Sequence, residues 1–250
     1  MKQRYLSAEA LLRCRLLTSD GALAGLTDLI LDTEDWHVRF LAAGVQRWAT
    51  DHDVLVTPQL VARVDEARGV VTLDLSSTDL AAGPLLDTGR GPGGFDDAAI
   101  VMPAAWRARW RARVESGGGG VGAHPAAGLD LDPTRIGTGQ LIRGDTLRGM
   151  RAETADGHRL RIQDLLIDDS DWTLAYLDLL ATASGRPGRD STPRPQHCLL
   201  ARTGIDWLNR DAQTLHLSVW MQELRDAPAG PLPLAGGSDV TPVRVLTPKG

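Results

Sequence analysis

The chain repeats one pattern of residues, and this repeat constrains the fold more than any other feature of the sequence. Asp20-Gly21 recurs as Asp156-Gly157, and Asp35-Trp36 recurs at the same spacing as Asp171-Trp172. Further along, TLDLS at residues 72–76 matches TLHLS at residues 214–218 after a slip of six residues. The slip falls in the Pro/Arg-rich stretch 184–196, and a gap confined to a loop is typical of a duplicated fold. The sequence therefore predicts two copies of one domain.

The composition between and after the copies sets the domain boundaries. We predict a first domain at residues 1–83, a Gly/Pro-rich linker at 84–135, a second domain at 136–228 and an irregular tail at 229–250. The linker contains the glycine run 117–120. It also contains one amphipathic helix, predicted at about 102–114, because Met102, Trp106, Trp110 and Val114 recur every four residues among arginines.

Each copy is patterned for short strands. Trp36, Val38 and Phe40 alternate with polar residues, and Asp20-Gly21 and Asp156-Gly157 are typical hairpin turns. A short helical stretch, 78–82 or 221–225, precedes a proline at the end of each copy. Several strands within about 80–90 residues favour a small barrel. The predicted fold is mainly β, with two small β-barrels in tandem joined by a linker containing one short helix.

Composition excludes several classes of protein. Hydrophobic residues make up 42% of 250, enough to bury a core, and no apolar stretch approaches the ~18 residues of a membrane span. Only two of the 27 basic residues are lysines, Lys2 and Lys249, so a Schiff-base or phosphate-loop lysine within the fold is excluded. The N-terminus lacks the apolar core of a signal peptide, and two cysteines make no disulfide framework. We expect a cytoplasmic protein that is not integral to a membrane.

The order of motifs resembles the PRC-barrel family. Each copy carries an Asp-Gly turn, an Asp-Leu pair, an Asp-Trp pair and an alternating strand, and the first copy continues with VLVTP at 54–58 and VTLDL at 71–75. This family comprises small barrels found in the photosynthetic reaction centre H subunit and in a ribosome maturation factor. The chain looks most like soluble bacterial members with two such barrels, over about residues 5–84 and 141–228. The resemblance carries over no catalytic residues, and the second copy departs from it at 184–196.

Structural roles explain the candidate chemical residues better than a functional site does. Two G-x-G-x-x-G matches, beginning at Gly89 and Gly117, lie inside the glycine-rich linker, whereas a dinucleotide site must follow a strand and open a helix. We therefore interpret them as chance matches. An acidic cluster in the second copy is echoed in the first, without the glycine and terminal glutamate of a calcium loop, so turn formation is favoured. Its members are Asp164, Asp168, Asp169 and Asp171, echoed by Asp28, Asp32, Glu34 and Asp35.

The histidines and cysteines likewise give no predicted site. The six histidines lack helical metal-ligand spacing, and His197 and Cys198, adjacent on a strand, should point to opposite faces. We therefore predict no catalytic residues, no metal ligands and no cofactor.

Charge and architecture together indicate the kind of partner. Residues 1–83 carry a net charge of −4 and residues 136–228 of −2, which argues against nucleic acid as a partner. The Arg/Trp-rich linker helix would bind a partner or membrane, or, as we favour, dock on a barrel. Small barrels with short loops offer edges to proteins, so we predict a non-catalytic interaction or regulatory/adaptor module with a protein partner, with homo-oligomerisation also open.

The alternative is an enzyme or metal-binding protein that uses Asp and His residues near the barrel interface. We also expect Trp36 and Trp172 to fill or seal their barrels, and the two barrels to face each other about a pseudo-twofold axis.

Overall fold

The fold of this protein is mainly β, as predicted. A computed structural model describes residues 4–44, 53–87, 99–101, 141–181, 196–230 and 243–248. The strands are β1 (Tyr5–Ser7), β2 (Arg15–Leu17), β3 (Leu23–Asp32), β4 (Val38–Gly44), β5 (Asp53–Val56), β6 (Val61–Asp65), β7 (Val70–Leu73), β8 (Leu85–Asp87), β9 (Ala99–Val101), β10 (Leu141–Arg143), β11 (Arg151–Glu153), β12 (Arg159–Asp168), β13 (Leu174–Ala181), β14 (Gln196–Ala201), β15 (Ile205–Asn209), β16 (Thr214–Leu217), β17 (Ala229–Gly230) and β18 (Val243–Leu246).

Helices in the described residues are short. The α-helices are α1 (Ala8–Leu12), α2 (Ser77–Ala81), α3 (Gly144–Gly149) and α4 (Met221–Asp226), and single 3₁₀ turns occupy Pro58–Leu60, Glu66–Arg68 and Arg202–Gly204. Helices α2 and α4 confirm the two helical stretches predicted at the ends of the copies. No helix of the described ranges combines the length and the apolar character required to cross a membrane.

The chain divides into two compact units. Unit N comprises Glu9–Gly144 with Ser170–Thr173, and unit C comprises Met1–Ala8, Asp145–Asp169 and Leu174–Gly250. Unit N holds a nine-stranded sheet in the order β6-β7-β2-β3-β4-β5-β8-β9, with β10 also paired to β3. Unit C holds a nine-stranded sheet in the order β15-β16-β11-β12-β13-β14-β18-β17, with β1 also paired to β12.

Each unit includes one strand from the other repeat, which the predicted boundaries 1–83 and 136–228 do not anticipate. In unit C, β1 pairs antiparallel with the end of β12, with Tyr5 opposite Asp168. In unit N, β10 pairs with the end of β3, with Leu141 opposite Asp32. The central strands need this extra partner, because β2 covers only Leu23–Gly25 of ten-residue β3 and leaves backbone groups further along that edge to be paired.

The central strands are buried on both faces where the exchanged strand joins. In β3 the pattern alternates at first and then becomes continuous, with every residue from Asp28 to Asp32 buried. On one face Ile30, Phe40 and Leu141 form a cluster with Ala42 and Leu55. In unit C the corresponding face groups Tyr5, Leu166 and Leu199, and the rings of Tyr5 and Tyr176 meet edge to face at 5.2 Å. The exchanged strand is therefore part of each core.

The regions outside the copies hold more structure than their composition indicates. The predicted linker includes strands β8 and β9, while its predicted helix at 102–114 lies outside the described residues. The predicted irregular tail supplies β18, which pairs in parallel with β14 and satisfies the backbone of that edge. Within the described ranges no ladder joins the two terminal strands of either sheet, so the described ladders close neither sheet into a barrel.

Trp36 and Trp172 occupy tight turns instead of barrel interiors. Both are half-buried, and both have positive φ, 62° and 61°, a conformation that bulky residues rarely adopt. The Trp36 N–H donates to the carbonyl of Asp32 at 2.8 Å, closing the turn between β3 and β4. Also in unit N, the Val38 N–H donates to the carbonyl of Trp172 at 2.8 Å, and His37 bridges to Thr173.

Candidate functional site

The acidic cluster of the first repeat is satisfied by arginine and backbone partners. Asp28 is fully buried, and its carboxylate accepts from Arg143 Nε at 2.8 Å and from the Leu29 N–H at 2.8 Å. Arg39 binds both Asp32, at 2.9 Å, and Asp35, at 2.7 Å. These carboxylates stabilise turns and pair with arginine, which agrees with the structural interpretation made from the sequence.

The equivalent carboxylates of the second repeat are also engaged in local structure. Asp171 accepts from the Thr173 N–H at 2.9 Å, and Asp169 pairs with Arg4 at 3.4 Å. Asp164 accepts a hydrogen bond from Ser7 of the exchanged strand, where the first repeat has the Arg143–Asp28 pair. Arginine is thus replaced by serine at the equivalent position of unit C.

Asp178 and His197 form a pair that the sequence analysis missed. The His197 Nδ1 lies 3.0 Å and 3.2 Å from the two carboxylate oxygens of Asp178, and His197 is half-exposed. Burial and the nearby charge of Asp164 raise the pKa of Asp178, while His197 opposes the rise. The register places Asp178 directly opposite Asp164 across β12 and β13. A histidine oriented by a carboxylate is an arrangement that can hold or transfer a proton.

The described residues of the first repeat carry no such pair at the equivalent positions. The position equivalent to Asp178 is Ala42, which lies opposite Asp28 in the same register. Asp178 and His197 lie on different strands, so the sequence could point to this pair only through the difference between Asp178 and Ala42 in the aligned copies.

The other reactive residue types give no assembled site within the described part of the chain. No group of three or more His, Cys, Asp or Glu there is placed to hold a metal ion. Cys198 is buried with its Sγ 3.6 Å from the Leu224 carbonyl oxygen, and burial raises its pKa to about 11. Burial also raises the pKa of Cys14. Such thiols are poor nucleophiles because little thiolate forms. Both G-x-G-x-x-G matches lie outside the described residues.

An aromatic pair with an exposed tryptophan joins β15, a terminal strand of unit C, to β16. Trp207 is 49% exposed, and its ring stacks on His216 of β16 with centroids 3.9 Å apart and an angle of 7°. The register places the two residues directly opposite each other. Large exposed aromatic side chains are typical of protein-binding surfaces.

A second exposed tryptophan begins helix α4. Trp220 is 61% exposed and occupies the N-cap, and its backbone N–H donates to the Glu223 carboxylate at 2.6 Å. In unit N the equivalent cap is Ser76, whose hydroxyl accepts from the Asp79 N–H at 3.1 Å. Serine is among the preferred N-caps and tryptophan is not, so unit C gives up a capping hydrogen bond and exposes an indole ring.

Comparison with known proteins does not assign this chain. No protein-family model matches it, and no curated protein matches it. What the protein does must therefore be inferred from the geometry of the described residues.

Proposed function

We propose that this protein is a non-catalytic interaction module of the PRC-barrel type, acting as a regulatory or adaptor protein in the cytoplasm. The observation that carries the proposal is the exposed Trp207–His216 stack on terminal strand β15. A rigid indole held flat by a neighbouring ring offers a large contact area at little entropic cost. The family part of this proposal is supported by the sequence resemblance, and the duplication is supported by the same strand order in both sheets.

The equivalent edge of unit N is built differently. Strand β6 carries Arg63 where β15 carries Trp207, and Arg63 and Arg68 both pair with Asp65, at 3.4 Å and 3.8 Å. Charged side chains on an edge strand discourage association. Edge strand β6 of unit N thus carries charged side chains that discourage association, whereas edge strand β15 of unit C exposes an aromatic ring. We therefore place the partner on unit C.

Capture of partners from cells of the source organism tests this function. Tagged wild-type protein is compared with Trp207→Arg, which introduces the residue type that unit N has at the equivalent position, Arg63. The control is Leu23→Arg, at an exposed leucine of unit N. We expect a partner in near-stoichiometric amount with wild type and Leu23→Arg, and its loss with Trp207→Arg. Identical capture by all three proteins would contradict the proposal.

The Asp178–His197 pair favours a second candidate function, an enzyme or metal-binding protein. His197 Nε2 has no hydrogen-bond partner among the described residues, so it is available as a base or a ligand. Elemental analysis of the purified protein discriminates the two candidates. Stoichiometric zinc or calcium that is lost in His197→Ala would favour the second function, and a metal content unchanged by that variant would count against a metal role for His197.

A further inference from the structure

Three arginines share the outer face of the unit C sheet with the aromatic stack. The register forms two adjacent rows across four strands. Alternation of burial in β11, β16 and the first half of β12 places these rows on the less buried face, and the stacking of Trp207 on His216 places β15 there as well. One row is Trp207, His216, Glu153 and Arg159, and the other is Asn209, Thr214, Arg151 and Arg161. The aromatic stack and the arginines are therefore neighbours on one surface, which we call the Arg/Trp face (Trp207, His216, Arg151, Arg159 and Arg161).

Two of these arginines have no acidic partner in the part of the chain that the structure describes. Arg151 and Arg161 are both exposed, lie directly opposite each other on β11 and β12, and make no side-chain hydrogen bond or ion pair with any described residue. Arg159 contacts Glu153 only at 3.9 Å. Like charges directly opposite on neighbouring strands repel, so this arrangement is unfavourable for the isolated sheet. Binding an anion would remove that repulsion.

Unit N provides an internal comparison, because the same register there places different residues. Gly25 stands opposite Arg15 at the positions of Arg161 and Arg151. Arg63 faces Thr72 in place of the aromatic stack. Strand pairing aligns Thr72, and not Asp74, with His216, so the sequence match of 72–76 to 214–218 is wrong by two residues. The cation pair and the aromatic stack are thus both present in one copy and both missing from the other. Because the cation pair and the aromatic stack differ together between the two copies, we infer that they belong to one binding surface.

We propose that the Arg/Trp face binds an extended acidic segment of a partner protein. This inference rests on the proposed function and specifies its partner. Strands β15 and β12 are three strand spacings apart, about 14 Å, which four to five extended residues can cross. An aromatic or apolar side chain of the segment packs on Trp207, and its carboxylates pair with Arg151 and Arg161.

The distribution of charge favours an acidic peptide over a nucleic acid. Glu153 lies between the aromatic row and the arginine pair, and exposed Asp206 precedes Trp207. A continuous phosphate backbone would pass these carboxylates at close range, whereas a peptide can space its acidic residues around them.

Fluorescence anisotropy with the full chain tests the inference. The probe is a labelled ten-residue peptide with a central tyrosine and glutamate at alternate positions, beside a matched lysine peptide and a ten-nucleotide oligo-dT. We expect the glutamate peptide to bind best, with affinity falling as salt rises. Binding should weaken about tenfold or more in the double variant Arg151→Ala/Arg161→Ala and in Trp207→Ala.

The control variant is Arg15→Ala, which removes the equivalent exposed arginine of unit N and should bind like wild type. Absence of glutamate-peptide binding, equal binding by all variants, or tighter binding of oligo-dT would each overturn the inference. If glutamate-peptide binding is absent while Trp207→Arg still loses the captured partner, the acidic-segment inference fails and the proposed interaction function stands. If capture is also insensitive to Trp207→Arg, both fail.

Discussion

The turn at Trp36 yields a prediction in which the smaller substitution is the less harmful one. Trp36 is half-buried and has a φ of 62°. Truncating a fully buried tryptophan to alanine costs about 3–5 kcal/mol, so a half-buried one should cost about 2 kcal/mol. The expected cost of Trp36→Ala is therefore lower than the ~3–5 kcal/mol that a tryptophan filling a barrel interior would imply.

Glycine at the same position should be better tolerated than alanine. A left-handed conformation costs a residue with a Cβ about 1–2 kcal/mol, and glycine escapes that cost. Glycine also gains about 0.5–1 kcal/mol of entropy in the unfolded chain, which acts against the folded state. The difference predicts that Trp36→Gly is more stable than Trp36→Ala by about 0.5–1 kcal/mol.

Urea denaturation measures this order, read from the midpoint at constant m-value. Exposed Leu23, at the start of β3, serves as the control, and there the order should reverse, with Leu23→Ala more stable than Leu23→Gly. If Trp36→Gly proves less stable than Trp36→Ala, the backbone of this turn is not strained and the reasoning is wrong.

Three further predictions concern buried and titrating groups. Arg143→Ala leaves the fully buried Asp28 carboxylate without its cation and should destabilise the fold by about 3 kcal/mol, whereas an effect below about 1 kcal/mol in thermal unfolding would refute the role of this pair. Hydrogen bonds from Ser77 and Thr18 lower the pKa of Asp20 to about 2, so its contribution to stability is present above about pH 3.8 and is lost as the pH falls toward 2. Ser77→Ala should raise that pKa in an NMR titration, and an unchanged value would contradict the assignment. Cys198 should resist iodoacetamide at pH 8 until the protein unfolds, and rapid labelling of the native protein at this residue would show that its thiol is accessible.

Patterns of local residues predicted the local structure of this protein well. The Asp20-Gly21 turn has its glycine at φ 83° with the Thr18 N–H bonded to the Ala22 carbonyl, a hairpin as expected. Alternation likewise located β4. These features depend on neighbours along the chain, which a sequence displays directly.

The features that could not be predicted depend on pairing between distant segments. Nothing in the sequence of residues 5–7 specifies that they form a strand whose partner is β12. The Asp178–His197 pair and the Arg151–Arg161 pair arise from register across strands, so each appears only once the sheet is assembled. The tail was predicted to be irregular because it is rich in glycine and proline, and the four residues of β18 are too short a segment to change that prediction.

The exchanged strands make the two halves of this chain inseparable by a simple cut. A protease nick between residues 102 and 140 would leave β1 on one fragment and the rest of unit C on the other, and β10 would be divided from unit N in the same way. The nicked protein should therefore migrate as one particle until it is denatured. Expressed alone, residues 1–83 would contain β1 without its partner β12, and β3 without its partner β10. Two co-expressed fragments should complement each other.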